Sequence, residues 1–455
     1  MMNNNIIKHV FAATLLVAAG WMTFACSNEE DDIFDQSAAE RLNAVSSIYS
    51  QRLTQSKGGW VMEYYPYDDN EDLLTGIGYL IVNRFHDNGA VFTAMKNAAS
   101  YNTLWTDSSA WQVVTYMGPV LTFNTYNRCL GRFSDPNDID LTTGRYDDES
   151  GQGFQGDYEF VMVDVPENGE HIMLKGVKRG LYQRLTRLPE GTDYEAYLDS
   201  INAFRSNMFV KDARWELVMT DNGKRFRMNH QDRGCSTVYP EGSDSTTYGW
   251  HEPFLVTKYD GRYHLRFKDT VMYDNVQMEQ EYVYEPDDDK FYGVKNAENT
   301  IEGIVPAWFF IDNLTTIQTR RWQFDTNSNS MSESMATLYN SVVQGFKASN
   351  FTYNSTNFMV RDSVINLRMQ YRSGRTTSYV YYAYSISSEG DNITLKYDGP
   401  IGNGETVLNA IPAAREFLEF LSHTFVVSAD TRFNLNQVRL TSATEPDKWF
   451  YVTLY

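Results

Sequence analysis

Short strand-like segments follow one another over residues 60–188, with turn signals between them and without helical periodicity. Residues 78–85 and 91–94 flank Asp87-Asn88-Gly89, a tripeptide typical of a hairpin turn. Turn signals of the same kind also separate segments 111–116 from 120–126, and 158–165 from 171–176. Strands at such regular spacing predict an antiparallel up-and-down barrel or a sandwich. The polar stretch 134–156 is predicted to be a long loop.

A helix is predicted before this β segment, and the arrangement repeats. Ser37-x-x-Glu40 has the capping-box pattern, in which each side chain pairs with a backbone N–H of the first helical turn. Thr192-x-x-Glu195 shows the same pattern. A tryptophan strand and an Asn-Gly turn then follow at Trp215 and Asn222-Gly223, as they do at Trp60 and Asn88-Gly89. The repeat predicts a second β unit after a boundary near residues 189–193.

The predicted fold class is therefore mainly β with a few flanking helices. An N-terminal helix and a lipocalin-like barrel or sandwich are expected over 35–190, and a second β-rich α+β unit over 191–455. A split of this second unit near residue 303 is left open. Helices are predicted there at 333–347 and 406–421, and strands at 364–371, 379–386, 393–397, 437–441 and 449–454.

Cys26 stands between a hydrophobic leader and an acidic run, Ser27-Asn28-Glu29-Glu30-Asp31-Asp32. This layout is typical of an export signal whose cysteine is lipidated, with a signal peptide over 1–25 and an acidic tether over 26–34. An ordinary secretory signal is the alternative. A transmembrane anchor is disfavoured, because the apolar stretch has only about 15 residues and a span needs about 20.

The formal net charge of −20 would repel a nucleic-acid backbone, so no nucleic-acid partner is expected. H-E-x-x-H, G-x-S-x-G and phosphate-binding loop motifs are absent from the sequence, and no cofactor or metal is predicted. A pair of catalytic carboxylates that meets only in three dimensions stays open. The acidic clusters are interpreted mainly as solvated turns: Asp68, Asp69 and Asp72; Asp135, Asp138 and Asp140; Asp287, Asp288 and Asp289. Cys129 and Cys235 could pair in an oxidising compartment or remain separate thiols.

Four tyrosines in one predicted strand are the candidate ligand-binding residues: Tyr379, Tyr381, Tyr382 and Tyr384. Strand alternation puts the first two on one face and the last two on the other. One face could belong to the core and the other could stack against a sugar or a peptide. The alternative is that tyrosine is simply common in sheets.

Several segments resemble a family of lipoproteins of Bacteroidetes, domain of unknown function 4302. The resemblance is carried by residues 34–42, Gly59-Trp60 with Tyr64-Tyr65-Pro66, residues 118–127, and residues 156–160 through 174–176. It implies a lipoprotein often encoded beside SusC/SusD-type importers, with an accessory role in nutrient capture. The acidic run after Cys26 resembles the surface-export signal of such lipoproteins. The first half also resembles a lipocalin-like barrel. The family has no assigned catalytic residues, so none is implied here.

The leading functional hypothesis is a non-catalytic lipoprotein, lipid-anchored in the outer membrane and exposed at the cell surface. It would bind a glycan or peptide nutrient or associate with a SusC/SusD-type transporter complex. A surface hydrolase of glycans or peptides, and a structural envelope lipoprotein, are the alternatives.

Overall fold

Three closed antiparallel barrels of eight strands each follow one another along the chain. The computed structural model describes residues 37–66, 77–116, 118–135, 154–209, 216–231, 235–243, 250–316 and 319–455. The prediction of a mainly β protein with few helices is confirmed. The first half is a barrel, and the β-rich second half contains the other two.

Barrel 1 is up-and-down, since each strand pairs with its neighbour in sequence and the last strand closes on the first. Its strands are β1 (Trp60–Tyr64), β2 (Tyr79–Phe85), β3 (Ala90–Met95), β4 (Trp105–Thr115), β5 (Pro119–Phe123), β6 (Glu159–Asp164), β7 (His171–Gly176) and β8 (Tyr182–Arg187). The Asp87-Asn88-Gly89 turn connects β2 to β3 as predicted, with Gly89 at φ +79°.

Barrels 2 and 3 have the same connectivity, apart from a small hairpin that is inserted into barrel 2. Barrel 2 contains β9 (Leu217–Asp221), β10 (Lys224–Gln231), β11 (Cys235–Pro240), β12 (Trp250–Tyr259), β13 (Arg262–Phe267), β16 (Glu281–Glu285), β17 (Lys290–Gly293) and β18 (Thr300–Glu302), and the inserted hairpin is β14 (Met272–Tyr273) and β15 (Val276–Gln277). Barrel 3 contains β19 (Arg321–Phe324), β20 (Thr352–Arg361), β21 (Val364–Ser373), β22 (Thr376–Glu389), β23 (Asn392–Ile401), β24 (Thr424–Ser428), β25 (Gln437–Ser442) and β26 (Trp449–Leu454).

A helix precedes each barrel, and further helices pack on barrels 1 and 3. In chain order the helices are α1 (Ala38–Gln55), α2 (Arg128–Ser134), α3 (Tyr194–Met208), α4 (Pro306–Thr315), α5 (Glu333–Ala348), α6 (Gly404–Ala410) and α7 (Pro412–Leu421). None of these described helices is long and apolar enough to cross a membrane.

The helix signals in the sequence are partly right. The Ser37 capping box is present, with Glu40 N–H donating to the Ser37 hydroxyl. The predicted cap at Thr192 is wrong by one residue, because the Asp193 carboxylate accepts the Ala196 N–H instead. The single helix predicted over 406–421 is broken before Pro412, whose nitrogen has no hydrogen to donate. Helices α2 and α4 were not predicted.

Two tryptophans connect a barrel to the helix before it. The Trp60 indole N–H donates to the Leu53 carbonyl of α1 at 2.9 Å, and the Trp322 indole N–H donates to the Phe310 carbonyl of α4 at 3.0 Å. Both indoles are buried, so each hydrogen bond fixes its helix against the barrel interior. The third unit therefore repeats the helix-and-tryptophan arrangement. Trp215, the predicted counterpart in the second unit, lies outside the described residues.

Strand β1 is buried on both of its faces. Trp60, Met62 and Tyr64 join the core cluster of barrel 1, whereas Val61 and Tyr65 join the large cluster that includes barrel 2. The barrel interiors are filled with such side chains, which is the packing that eight strands allow.

Buried ion pairs connect barrel 1 to barrel 2. Glu63 is fully buried and contacts Arg184 at 2.6 Å and Arg266 at 2.7 Å. Arg184 continues the network to Glu281 of barrel 2 at 2.7 Å. Helix α3 adds a second connection, because its Glu195 and Asp199 both contact Lys96 of barrel 1. Arg184 and Lys96 thus have their charges compensated across the interface.

One aspartate connects barrel 2 to barrel 3. Asp289 accepts the Arg432 backbone N–H at 2.5 Å and the Thr431 hydroxyl at 3.0 Å, both in the β24–β25 loop. The same loop places Phe433 against Phe291 of barrel 2, with ring centroids 5.4 Å apart. The predicted solvated turn at Asp287, Asp288 and Asp289 therefore contributes one interface residue.

Candidate functional site

The four predicted tyrosines lie on β22 of barrel 3, two on each face of the strand. Tyr382 and Tyr384 point into the barrel and are buried, and the Tyr384 hydroxyl donates to the Leu418 carbonyl at 2.9 Å. Tyr379 points outward and is 41% exposed, and Tyr381 is partly exposed on the same face. Tyr379 and Tyr381 are therefore the members of the predicted set that a ligand can reach.

Arginines stack on both outward tyrosines. The Arg368 guanidinium lies 5.1 Å from the Tyr379 ring centroid, and the Arg361 guanidinium lies 4.6 Å from that of Tyr381. The two rings are 6.4 Å apart. Such contacts stabilise an arginine over an aromatic face by about 0.5–1 kcal/mol at exposed sites. These four residues, together with Arg321 and Asn357, are called the arginine–tyrosine wall below.

Two arginines of the wall have no carboxylate partner. Among the described residues, no carboxylate forms an ion pair with Arg321 or Arg368 within 4.0 Å. Burial lowers the pKa of Arg368, and the charge of Arg321 lowers it further. The Nε atoms of both arginines are buried without a hydrogen-bond partner in the described structure. The wall therefore holds positive charge that the surrounding described residues leave uncompensated.

Asn357 lies in the same row of the sheet, directly opposite Arg368 on β21. Its side chain is completely buried, and neither its amide oxygen nor its amide nitrogen has a hydrogen-bond partner in the described part of the chain. A buried polar group without a partner costs about 1–3 kcal/mol. The row thus contains hydrogen-bonding capacity that its described neighbours do not use.

Arginines also lie over aromatic rings elsewhere, and one example is on barrel 1. The Arg128 guanidinium lies 3.8 Å from the Trp105 ring centroid. Here a carboxylate is close by, since Asp107 accepts the Arg128 backbone N–H at 2.7 Å. The wall of barrel 3 differs from this site at Arg321 and Arg368, for which no ion-pair partner lies within 4.0 Å among the described residues.

An open cleft of 520 Å³ lies on the outer wall of barrel 1, beside the start of α3. Phe92 and Tyr194 stack along it with centroids 6.0 Å apart, and Arg84 and His86 also line it. The Tyr194 hydroxyl donates to the Gly58 carbonyl at 2.9 Å. This cleft was not predicted, because its residues come from two units and share no motif.

The described histidines and carboxylates do not gather into a metal site. No group of three or more His, Cys, Asp or Glu able to hold a metal ion occurs among the described residues. Burial lowers the pKa of His171 to about 4, so its imidazole is neutral, and its ring packs edge-on against Tyr259. The His264 ring, in barrel 2, stacks on the same Tyr259 ring, with the two ring centroids 3.6 Å apart.

Several predicted features lie wholly or partly outside the described residues: Cys26, the signal peptide and tether, Asp68, Asp69, Asp72, Asp138 and Asp140. Cys129 is buried as a free thiol, 3.7 Å from the Trp105 carbonyl oxygen. Burial raises the pKa of this thiol to about 11, which makes it a poor nucleophile.

A family model described as "Domain of unknown function (DUF4302)" matches residues 30–282. No curated protein matches the chain. Among solved structures, the β chain of DNA polymerase III from Streptococcus pneumoniae aligns with 9% identity over 90% of this chain and 98% of its own, with a TM-score of 0.13. A TM-score this low supports no argument about fold or function.

Proposed function

This chain belongs to the DUF4302 family, and we propose that it is a non-catalytic lipoprotein of the outer cell surface that binds a glycan or a peptide. The observation that supports binding is the exposed pair Tyr379 and Tyr381, flanked by Arg361 and Arg368. A tyrosine face stacks on sugars or on apolar side chains, and the adjacent guanidiniums supply directional donors.

A non-catalytic role agrees with the state of the buried carboxylates. Burial opposes ionisation of Glu281, but the hydrogen bond and the charge of Arg184 bring its pKa to about 2. A general acid for glycoside cleavage needs a raised pKa instead. Burial does raise the pKa of Asp157, yet its oxygens accept the backbone N–H groups of Lys178 and Arg179. These carboxylates hold the fold together.

The lipid anchor and the cell-surface location are proposed from the sequence. Lipid on Cys26 would fix the barrels to the outer membrane, and the acidic tether would direct them to the outside. A SusC/SusD-type transporter complex is the partner that the family resemblance favours. Cys26→Ala should abolish incorporation of labelled palmitate, and protease added to intact cells should digest the native protein. Unchanged labelling would contradict the lipid anchor. Full protection from the protease would contradict the cell-surface location.

The binding role is tested with the full mature chain in detergent micelles, probed against glycan and peptide arrays. Tyr379→Ala with Tyr381→Ala should abolish binding of whichever probe the parent chain retains. Tyr116→Ala, at an exposed tyrosine on barrel 1, is the matched control and should bind normally. Turnover of a bound probe by the parent chain would favour the hydrolase alternative.

A further inference from the structure

We infer that the arginine–tyrosine wall takes a carboxylate-bearing glycan, a chain containing uronic acids, in preference to a neutral one. This inference rests on the binding role proposed above and names the class of its ligand. It depends on three features of barrel 3: the excess of positive charge, the contacts of two guanidiniums with tyrosine rings and the amide of Asn357, which has no partner among the described residues.

The wall is basic within an acidic protein. Strands β20 to β22 and the two turns between them carry four arginines, Arg361, Arg368, Arg372 and Arg375, against two acids, Asp362 and Glu389. Arg321 adds a fifth positive charge from β19, in a chain whose formal net charge is −20. Within the described part of the chain, Arg361 is the one member of these five with an ion-pair partner, the highly exposed Asp362 at 3.4 Å. An anionic ligand would therefore be attracted to this face and repelled by most others.

Stacking leaves the arginines ready to bind a carboxylate. A guanidinium has five N–H donors in one plane, and a contact with an aromatic ring uses the π face of that ring and not the lone pairs of an acceptor. These donors match the two oxygens of a carboxylate. The ring contacts of Arg361 and Arg368 therefore hold both groups in place before a ligand arrives, which reduces the entropy lost on binding.

Asn357 supplies a neutral polar group beside the charges. Both amide atoms are unpaired and lie in the row that contains Arg368. Sugar hydroxyls both donate and accept hydrogen bonds, as a carboxamide does. The row that contains Arg368 thus also contains an amide of the kind that pairs with sugar hydroxyls.

The closed barrel favours a glycan over an acidic peptide. Extended peptides commonly bind by adding a strand to a free sheet edge, where backbone hydrogen bonds supply the affinity. Strand β22, which carries both outward tyrosines, is an interior strand of closed barrel 3 between β21 and β23, so it offers side chains rather than an edge. Tyrosine faces and arginine edges suit sugar rings that carry carboxylates.

The test measures binding of the full mature chain in detergent to oligogalacturonate, by calorimetry. The matched probe is the same oligosaccharide with its carboxylates methyl-esterified, and an oligoglutamate is the peptide probe. Arg321→Gln and Arg368→Gln should each weaken binding of oligogalacturonate at least about tenfold, since each removes a charge-assisted contact. Arg128→Gln, which removes the arginine over Trp105 on barrel 1, should bind normally. Circular dichroism with thermal melting checks that every variant folds.

The outcomes separate the inference from the proposed function. Binding of the acid but not of its ester, lost in the wall variants and weakened by salt, supports the inference. Equal binding of acid and ester overturns it and leaves the binding role standing. Binding of oligoglutamate alone overturns the glycan assignment, and loss of binding only in Arg128→Gln places the site on barrel 1. Failure of all three probes on a chain that still binds another array ligand also overturns it.

Discussion

Glu63 of barrel 1 and Arg266 of barrel 2 form a buried ion pair at 2.7 Å across the interface between the two barrels. The other oxygen of Glu63 contacts Arg184, which in turn contacts Glu281 of barrel 2. Glu63 and Arg184 pair within barrel 1, whereas the contacts of Glu63 with Arg266 and of Arg184 with Glu281 exist only while both barrels are in place. Breaking such a pair leaves an uncompensated buried charge, which is costly. The network therefore makes the relative position of these barrels a condition of their stability.

Glu63→Gln is expected to destabilise the protein by about 3 kcal/mol or more, because Arg184 and Arg266 lose their common anion inside the interface. Urea unfolding measures the loss. The matched control is Glu241→Gln, whose partners Arg225 and Arg227 are on the surface, and it should cost less than about 1 kcal/mol. Equal losses of unfolding free energy in the two variants would mean that the buried network stabilises the protein no more than a surface ion pair does.

Stability should fall as the pH drops from about 6.5 towards 4. Burial lowers the pKa of His171 from 6.5 to about 4, so in this window the unfolded chain binds a proton that the folded chain does not. Below about 4.5, protonation of Glu281, whose folded-state pKa is about 2, extends the loss. His171→Gln should flatten the upper part of the profile of urea midpoint against pH. A variant with the parent slope between pH 4 and 6.5 would exclude His171 as the source.

Trp60→Phe and Trp322→Phe should each destabilise the protein by about 1–3 kcal/mol, because each loses an indole donor and leaves a buried carbonyl with one contact fewer. Thermal melting measures the change. Trp308→Phe is the control, since Trp308 is 54% exposed on α4, and it should stay within about 0.5 kcal/mol of the parent. A loss at Trp308 as large as at Trp322 would contradict the role of the indole hydrogen bond.

Asp289→Ala should loosen barrel 3 from barrel 2, because the Arg432 N–H, the Thr431 hydroxyl and the Tyr284 hydroxyl all lose their acceptor. Faster amide hydrogen exchange is expected over residues 429–436, with little change in the strands of barrel 1. Asp287→Ala, at an exposed position in the same turn, should exchange like the parent. Unchanged exchange in Asp289→Ala would contradict the bridging role of Asp289.

Local signals in the sequence predicted local structure well. The Ser37 capping box and the Asp87-Asn88-Gly89 turn act through neighbours within four residues, so the sequence contains all of their chemistry. Alternation also predicted that Tyr379 and Tyr381 share one face of β22. The third barrel was harder to see, because its first strand has only four residues and helix α5 separates it from the second.

The non-local contacts could not be predicted in the same way. Glu63 and Arg184 are 121 residues apart, and no periodicity relates them. Arg321 and Asn357 lie near Arg368 only because strand pairing places β19 beside β20 and β20 beside β21. Sequence reasoning found the aromatic half of the candidate site and missed the charged half, since surface arginines carry no motif of their own.

Barrel closure also has a consequence for how the polypeptide acquires its shape. In the first barrel, Trp60 pairs with Arg187, so closure must wait until nearly the whole stretch between them has been made. Contacts between such distant positions form slowly, and an incomplete barrel exposes strand edges that can aggregate. Because the chain forms three barrels in series, strand pairing takes place within three shorter segments. Each barrel can close as synthesis proceeds from the N-terminus.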